Sequence, residues 1–427
     1  MIPTRGLHID QAPPLHIPLR FFMTAPLFML WAGIVLLAWP GEIWIAPLTP
    51  LTVATFHLVV LGWITMTMFG AMYQMIPVLA GLPMPGLVLA PWVHGSLVVG
   101  VVSLFVAIGL DGHRWFLLLA SAGLGLALGL FILQTGYALW RSPVRHPTIA
   151  AKRIALVSLT LTLVLGGLFL GEYAHGFFAI DRATLVAIHL VIALFGWVAT
   201  LILGVSLQVL PMFYVMPIYP VAVAQRLLIG WSASLLLLPL ALWWLGPEQP
   251  IWLWLAALPG VVGLTLYGRR LRIVWSQRKR KINDPSLKFW RAGLLYAVLA
   301  LSLLACWPLL PDHLMSRFLF GVLFTIGFVT SIILAMLYKI VPFLVWFHRF
   351  SRLVGLVDTI PMMDDLVAER LGHWHYYWHQ GTTIILILAV VTTHPFATIA
   401  AGVGLIIDAL LWIGMVYSAL RYPVPAT

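Results

Sequence analysis

The sequence predicts an all-α membrane protein of about twelve transmembrane helices, arranged as three four-helix repeats with pseudo-threefold symmetry. Composition is the first observation behind this reading. Of 427 residues, 62% are hydrophobic and 9% charged, whereas soluble domains carry roughly 25% charged residues. The second is the set of apolar runs long enough to cross a bilayer, about 20 residues each. They fall at 22–40, 50–79, 88–110, 115–140, 153–171, 183–213, 226–245, 250–268, 291–310, 316–346, 376–393 and 396–420. The third is a pattern that occurs three times. Gly62-Trp63, Gly196-Trp197 and Gly327-Phe328 are each followed eight residues on by a small residue (Gly70, Gly204, Ala335) and fifteen on by a proline (Pro77, Pro211, Pro342). The copies lie about 130 residues apart. Repeats are therefore expected near 20–145, 150–280 and 288–420 within a single transmembrane domain, 1–427.

In the first repeat the apolar stretch HLVVLGWITMTMFGAMYQMIP (57–77) dominates the second span, with His57 toward one end and Pro77 toward the other. A tight uncharged turn, AGLPMPG (80–86), leads to a third span carrying His94, and then to the loop DGHR (111–114). The second repeat places His189 seven residues before Gly196, close to the depth of His57, five before Gly62. Its loop GEYAHGFFAIDR (171–182) adds Glu172, His175 and Asp181 on the same side. Spans seven and eight are interrupted by Pro239, Pro247, Pro250 and Pro259. The third repeat has no histidine within its tenth span, and the nearest is His313. Lys339 stands where the other repeats have Gln74 and Gln208, near a span end from which a lysine can snorkel. The longest loop, 347–375, suggests a short interfacial helix, and HWHYYWHQ (373–380) then enters span eleven. Asp408 falls in the middle of span twelve.

The net charge of +11 is spread over alternate loops and does not mark a nucleic-acid-binding domain. If the N-terminus is cytoplasmic, the inner segments collect Arg5, Arg20, Arg141, Arg145, Lys152, Arg153, Arg226 and the run from Arg269 to Arg291, and the outer ones only Arg114, Arg182 and Arg317. Both termini are thus expected in the cytoplasm of a bacterial inner-membrane protein. The basic loop 269–281 is expected to lie against anionic headgroups of the lipid bilayer. With one cysteine, Cys306, the chain has neither an intrachain disulfide nor a thiolate-ligated iron–sulfur cluster. The first span lacks a cleavage signal and reads as retained.

Ionisable side chains inside a bilayer are costly, so each is a candidate for function. His57 and His189 lead, because they occupy matching places and imidazole ligates haem iron and copper. The competing reading is a hydrogen bond to a helix carbonyl. His375 and His379, at i and i+4, share a helix face and can chelate a metal. Set among Trp374, Tyr376, Tyr377 and Trp378 they also read as an aromatic interfacial belt. His113, His175, His313 and His394 are candidates for a second metal site or for contacts to haem propionates. Asp408 reads either as a proton-pathway carboxylate or as a structural partner, with Lys339 the nearest cation by depth. Met66, Met68, Met72 and Met75 read as packing. Gly62, Gly70, Gly196 and Gly204 allow either close helix approach or a flat macrocycle against the backbone.

Twelve spans in three four-helix units, with a histidine near the outer end of span two, resemble the catalytic subunits of the haem-copper oxidase and nitric oxide reductase superfamily. The segment 57–77 is similar to the low-spin haem ligand region of those proteins. A closer resemblance is to the NnrS family, with the histidine, the Gly-aromatic pair, the second glycine and the proline at matching intervals, and Leu19-Arg20-Phe21-Phe22 at the entry to span one. The resemblance implies b-type haem on His57 and copper as an additional metal, and His189 joins as a candidate second ligand by its matching place in the second repeat. It also implies a role in respiratory electron transfer or nitric oxide handling, with a cytochrome donor or respiratory-complex subunits as partners. It departs from the oxidases where they carry histidines in spans seven and ten, and His57-Leu58 replaces a histidine–glutamate step, so their binuclear centre cannot be assembled in the same way. The rival readings are a non-enzymatic assembly or accessory protein and a cofactor-free transporter.

Overall fold

The computed structural model describes residues 11–176, 181–279, 284–310, 313–357 and 360–423. Among these, eleven helices are long and apolar enough to cross a membrane: α1 (His16–Ala38), α2 (Pro50–Ala80), α3 (Leu87–Gly109), α4 (Arg114–Arg141), α5 (Pro147–His175), α6 (Arg182–Tyr214), α7 (Val221–Leu245), α8 (Pro250–Ser276), α9 (Pro285–Cys306), α10 (Leu314–Arg349) and α12 (Pro395–Arg421). Between the last two lies α11 (Glu369–Thr392), more polar in its first half. It starts seven residues before the expected span and so takes both His375 and His379 into one helix.

Helix starts follow local chemistry. Proline occupies the first turn of α5, α9 and α12, where its missing N–H costs nothing. The preceding residue caps each: His146 Nδ1 accepts from Thr148 N, Asp284 Oδ1 from Leu287 N and His394 Nδ1 from Phe396 N. Burial holds His146 below the usual imidazole range, which suits a ring nitrogen that must accept. Asp181 caps α6, accepting from the N–H groups of Ala183 and Thr184 and from the Thr184 hydroxyl.

The long apolar helices α2, α6 and α10 widen to π winding over Leu58–Thr65, Val191–Ala199 and Leu323–Thr330. Each π run contains the glycine of a Gly-aromatic pair. A Cβ on Gly62 would stand 2.4 Å from Phe28, on Gly196 2.6 Å from Ser158, and on Gly327 2.7 Å from Tyr296. Glycine is needed at these crossings because no other residue lets the neighbouring helix come so close. Threonine hydroxyls follow the wide turn, Thr200 Oγ1 donating to Phe195 O and Thr330 Oγ1 to Thr325 O.

The chain folds as two compact units. One comprises Met1–Pro13, Tyr73–Val93 and Leu124–Ile282. In it α7 and α8 run unbroken through Pro239 and Pro259. Ser234 satisfies the backbone around Pro259, donating to Ala257 O at 3.0 Å and accepting from Gly260 N at 2.8 Å. Because α8 continues to Ser276, the first half of the expected basic loop 269–281 is helical; Arg280 and Lys281 lie outside the described residues. The second unit comprises Pro14–Met72, His94–Gly123 and Asn283–Thr427. In it α1 and α12 cross at Gly33 and Gly402, where a Cβ on Gly33 would lie 2.7 Å from Gly402 O. The Trp412 indole N–H donates to Phe22 O at 3.0 Å. The segment 347–368 forms short 3-10 turns at Ser351–Leu353 and Met363–Leu366 in place of the expected interfacial helix.

Candidate functional site

The second unit contains a chain of buried polar side chains drawn from α10, α11 and α12. Asp408, in the apolar middle of α12, is 4% exposed, and its carboxylate lies between two imidazoles that are fully buried. His379 Nδ1 bonds Asp408 Oδ2 at 2.8 Å. His375 Nε2 stands 3.0 Å from Asp408 Oδ1, in ion-pair contact without hydrogen-bond alignment. One turn apart on α11, both rings face α12, while Trp374 and Tyr377 are exposed and the Trp378 indole N–H donates to Gly404 O at 3.0 Å.

The far ring nitrogens meet hydroxyls of α10. Tyr338 OH lies 2.9 Å from His375 Nδ1, and Ser331 Oγ 3.1 Å from His379 Nε2. Ser331 and Tyr338 are seven residues apart, two helical turns, which matches the rise between the histidines plus their reach. Phe289 of α9 closes the group, its ring centroid 5.7 Å from each imidazole. Gly372 brings α11 close enough: a Cβ there would lie 2.6 Å from Pro285 and 3.3 Å from the Tyr338 ring. The Thr383 hydroxyl donates to His379 O.

Beside this group, Lys339 is buried and reaches Asp284 at 2.9 Å and the half-exposed Asp364 at 3.5 Å. Two expectations are thereby corrected. Lys339 does not snorkel to an interface, because the carboxylate that caps α9 lies within its reach. Nor is Lys339 the partner of Asp408, whose two oxygens face histidines. His375 and His379 do not share the exposure of Trp374 and Tyr377, since they lie on the opposite face of α11.

His57 lies half-buried at the start of the first π run. Its Nδ1 pairs with Val53 O at 2.7 Å, one turn back. If that nitrogen donates, Nε2 keeps the lone pair with which an imidazole binds a metal. Phe56 lies edge-on to it at 6.5 Å. The glycines after His57 do not form an open bed for a macrocycle. Phe28 fills the face of Gly62, and Phe21 and Phe22 fill that of Gly70, so their use is helix packing.

His189 belongs to the other unit, half-buried, with Phe169 edge-on at 5.6 Å. His175 ends α5 and is exposed, followed by Gly176 in the left-handed conformation that closes the helix. His94 Nε2 contacts Thr24 Oγ1 at 2.9 Å. His113 accepts from Trp115 N and His394 is an N-cap, while the side chain of His313 lies outside the described residues. Glu172 pairs with Arg182 at 3.9 Å. Among the described residues no group of three His, Cys, Asp or Glu side chains is arranged to hold a metal ion.

Two participants are not apparent from residue type alone. Tyr338 and Ser331 are unremarkable in an apolar helix, although their spacing of seven would have placed them on one face. Lys152, one of the expected inner-side charges, is fully buried in α5, and its Nζ meets no hydrogen-bond partner among the described residues.

No family model matches this chain, and no curated protein matches it either.

Proposed function

We propose that this chain is a multi-pass protein of a bacterial inner membrane, with both termini cytoplasmic, built as three four-helix repeats. In this reading it is related to NnrS and to the haem-copper oxidase and nitric oxide reductase catalytic subunits, and it binds b-type haem through His57. The repeat reading is supported by the π runs of α2, α6 and α10, each holding a glycine that admits a side chain of the preceding long helix, Phe28 of α1, Ser158 of α5 and Tyr296 of α9; a fourth π run, Phe105–Gly109, lies in α3.

The haem reading draws on the His57 Nδ1 contact with Val53 O, the helix-carbonyl bond of the competing reading, because a ring that donates from Nδ1 would keep the Nε2 lone pair for a ligand. A bound haem would supply one-electron transfer, with a cytochrome or another respiratory subunit as donor. His189 is the candidate for a second ligand, and copper for a second metal.

A dithionite-reduced minus oxidised spectrum of the detergent-purified protein, with metal analysis of the same sample, tests this. The expected result is a b-type signal with about one iron per chain, lost in His57→Ala although the protein still inserts. Full haem occupancy in that variant would remove His57 from the assignment. A colourless, copper-free protein would favour the second reading, a cofactor-free transporter. The buried Asp408 group favours that reading, and uptake assays on Asp408 variants would test it.

A further inference from the structure

We infer that His375, Asp408 and His379 form a proton-binding site inside the bilayer, which takes one proton from the aqueous phase and returns it, with the Tyr338 and Ser331 hydroxyls as reversible end groups. This rests on neither the haem nor the transporter reading; it follows from hydrogen-bond bookkeeping in the second unit.

Consider the group with the carboxylate ionised and both imidazoles neutral. The nitrogens facing Asp408, His379 Nδ1 and His375 Nε2, carry the protons, because a carboxylate only accepts. The outer nitrogens, His375 Nδ1 and His379 Nε2, then hold lone pairs, and the Tyr338 and Ser331 hydroxyls donate to them. Three of the four ring nitrogens have a hydrogen-bond partner, His375 Nε2 faces Asp408 Oδ1 at 3.0 Å in electrostatic contact alone, and the group carries one negative charge.

Now let one proton from water settle on an outer nitrogen, for instance His375 Nδ1. The imidazole becomes an imidazolium, no other bond breaks, and the group becomes electrically neutral. His375 Nδ1 must then donate, and Tyr338 oxygen, which has lone pairs, accepts. The same exchange is open to His379 Nε2 and Ser331 Oγ. Hydroxyls are the side chains that can change from donor to acceptor by rotating one bond, so the two outer contacts are satisfied in both charge states. A backbone carbonyl at either end would have permitted only the charged ring, and a backbone N–H only the neutral one.

The surroundings keep other charges out of this exchange. Helix α9 turns the ring of Phe289 to both imidazoles, and its Lys288 is engaged by the Tyr377 hydroxyl at 3.1 Å. On α10, Lys339 is held by Asp284 and Asp364. On α11, His373 pairs with Glu369 at 3.2 Å. Helix α1, packed on α12, offers Asp408's neighbour Trp412 a backbone carbonyl, and its Arg20 bonds His16 O. A single proton therefore changes the net charge of the buried group between minus one and zero, a difference that a low-dielectric setting makes large.

The test is a pH titration of the full chain, labelled with 15N-histidine and held in lipid bilayers, followed by solid-state NMR. His375→Gln and His379→Gln assign the two ring signals. The expected result is that both rings change protonation together along one curve, taking up one proton between them. In Asp408→Asn the shared curve splits into two independent ones. In Tyr338→Phe the His375 signal moves its midpoint while the fold is unchanged, which a merely structural pairing would not produce. If Asp408→Asn does not fold, Tyr338→Phe decides alone. Both rings keeping one protonation state across the whole range in the unsubstituted protein would overturn the inference, whatever the haem spectrum shows.

Discussion

Each of the two units buries a lysine inside a long apolar helix, and the two are treated in opposite ways. In the second unit Lys339 of α10 meets Asp284 at 2.9 Å, and that aspartate also caps α9. In the first unit Lys152 of α5 is fully buried with no hydrogen-bond partner for its amine among the described residues. Burial alone thus says little about what an ionisable group does; its partners decide. The second unit has assembled carboxylates around its cation and imidazoles, whereas in the first no hydrogen-bond acceptor meets the amine among the described residues.

Substitutions can break or sharpen this contrast. The largest effect is expected at Asp408, whose replacement by Ala leaves two imidazoles facing a gap. Breaking a buried charged pair costs about 3–5 kcal/mol, so Asp408→Ala should lower the unfolding temperature in detergent more than any other single change considered. Lys339→Met comes next, at about 3 kcal/mol, because the Asp284 carboxylate would stay buried. A double-mutant cycle with Asp284→Asn should show a coupling of more than about 1 kcal/mol, and independent effects of the two changes would refute the pairing.

Lys152→Met should have the opposite sign. Removing a buried polar group that lacks a partner relieves about 1–3 kcal/mol, so this variant should unfold at a higher temperature. A lower one would mean that the amine has a partner and that the contrast between the units is false. The smallest effect belongs to Asp181, the exposed cap of α6, where Asp181→Ala should produce a slight loss measurable at neutral pH. Hydrogen bonds from Thr184 and Ala183 hold its carboxyl below the usual range. Its contribution is therefore complete above the unfolded value, about 3.9, and lost as pH falls through the lower folded value. The variant and the parent should converge in stability in strong acid.

Much of this architecture was legible in the chain. Apolar runs located the helices, with ends off by up to eight residues, and the Gly-aromatic pairs marked the crossings at Phe28, Ser158 and Tyr296. These features are local or periodic: a span needs length and apolarity, and a close crossing needs a residue without a side chain. The proline-rich α7 and α8 were harder to read, since their continuity depends on Ser234, which lies on a different helix from Pro259.

The polar centre divides along the same line. The sequence by itself determined that Asp408 would lie within a span and that His375 and His379 would share a helix face, because both follow from helical periodicity and hydropathy. Only the tertiary structure decided that those imidazoles enclose that carboxylate, that Tyr338 and Ser331 end the chain, and that Lys339 takes Asp284 instead. Those pairings join residues from separate helices, and the search for partners in a medium without water is settled by which helix faces come together.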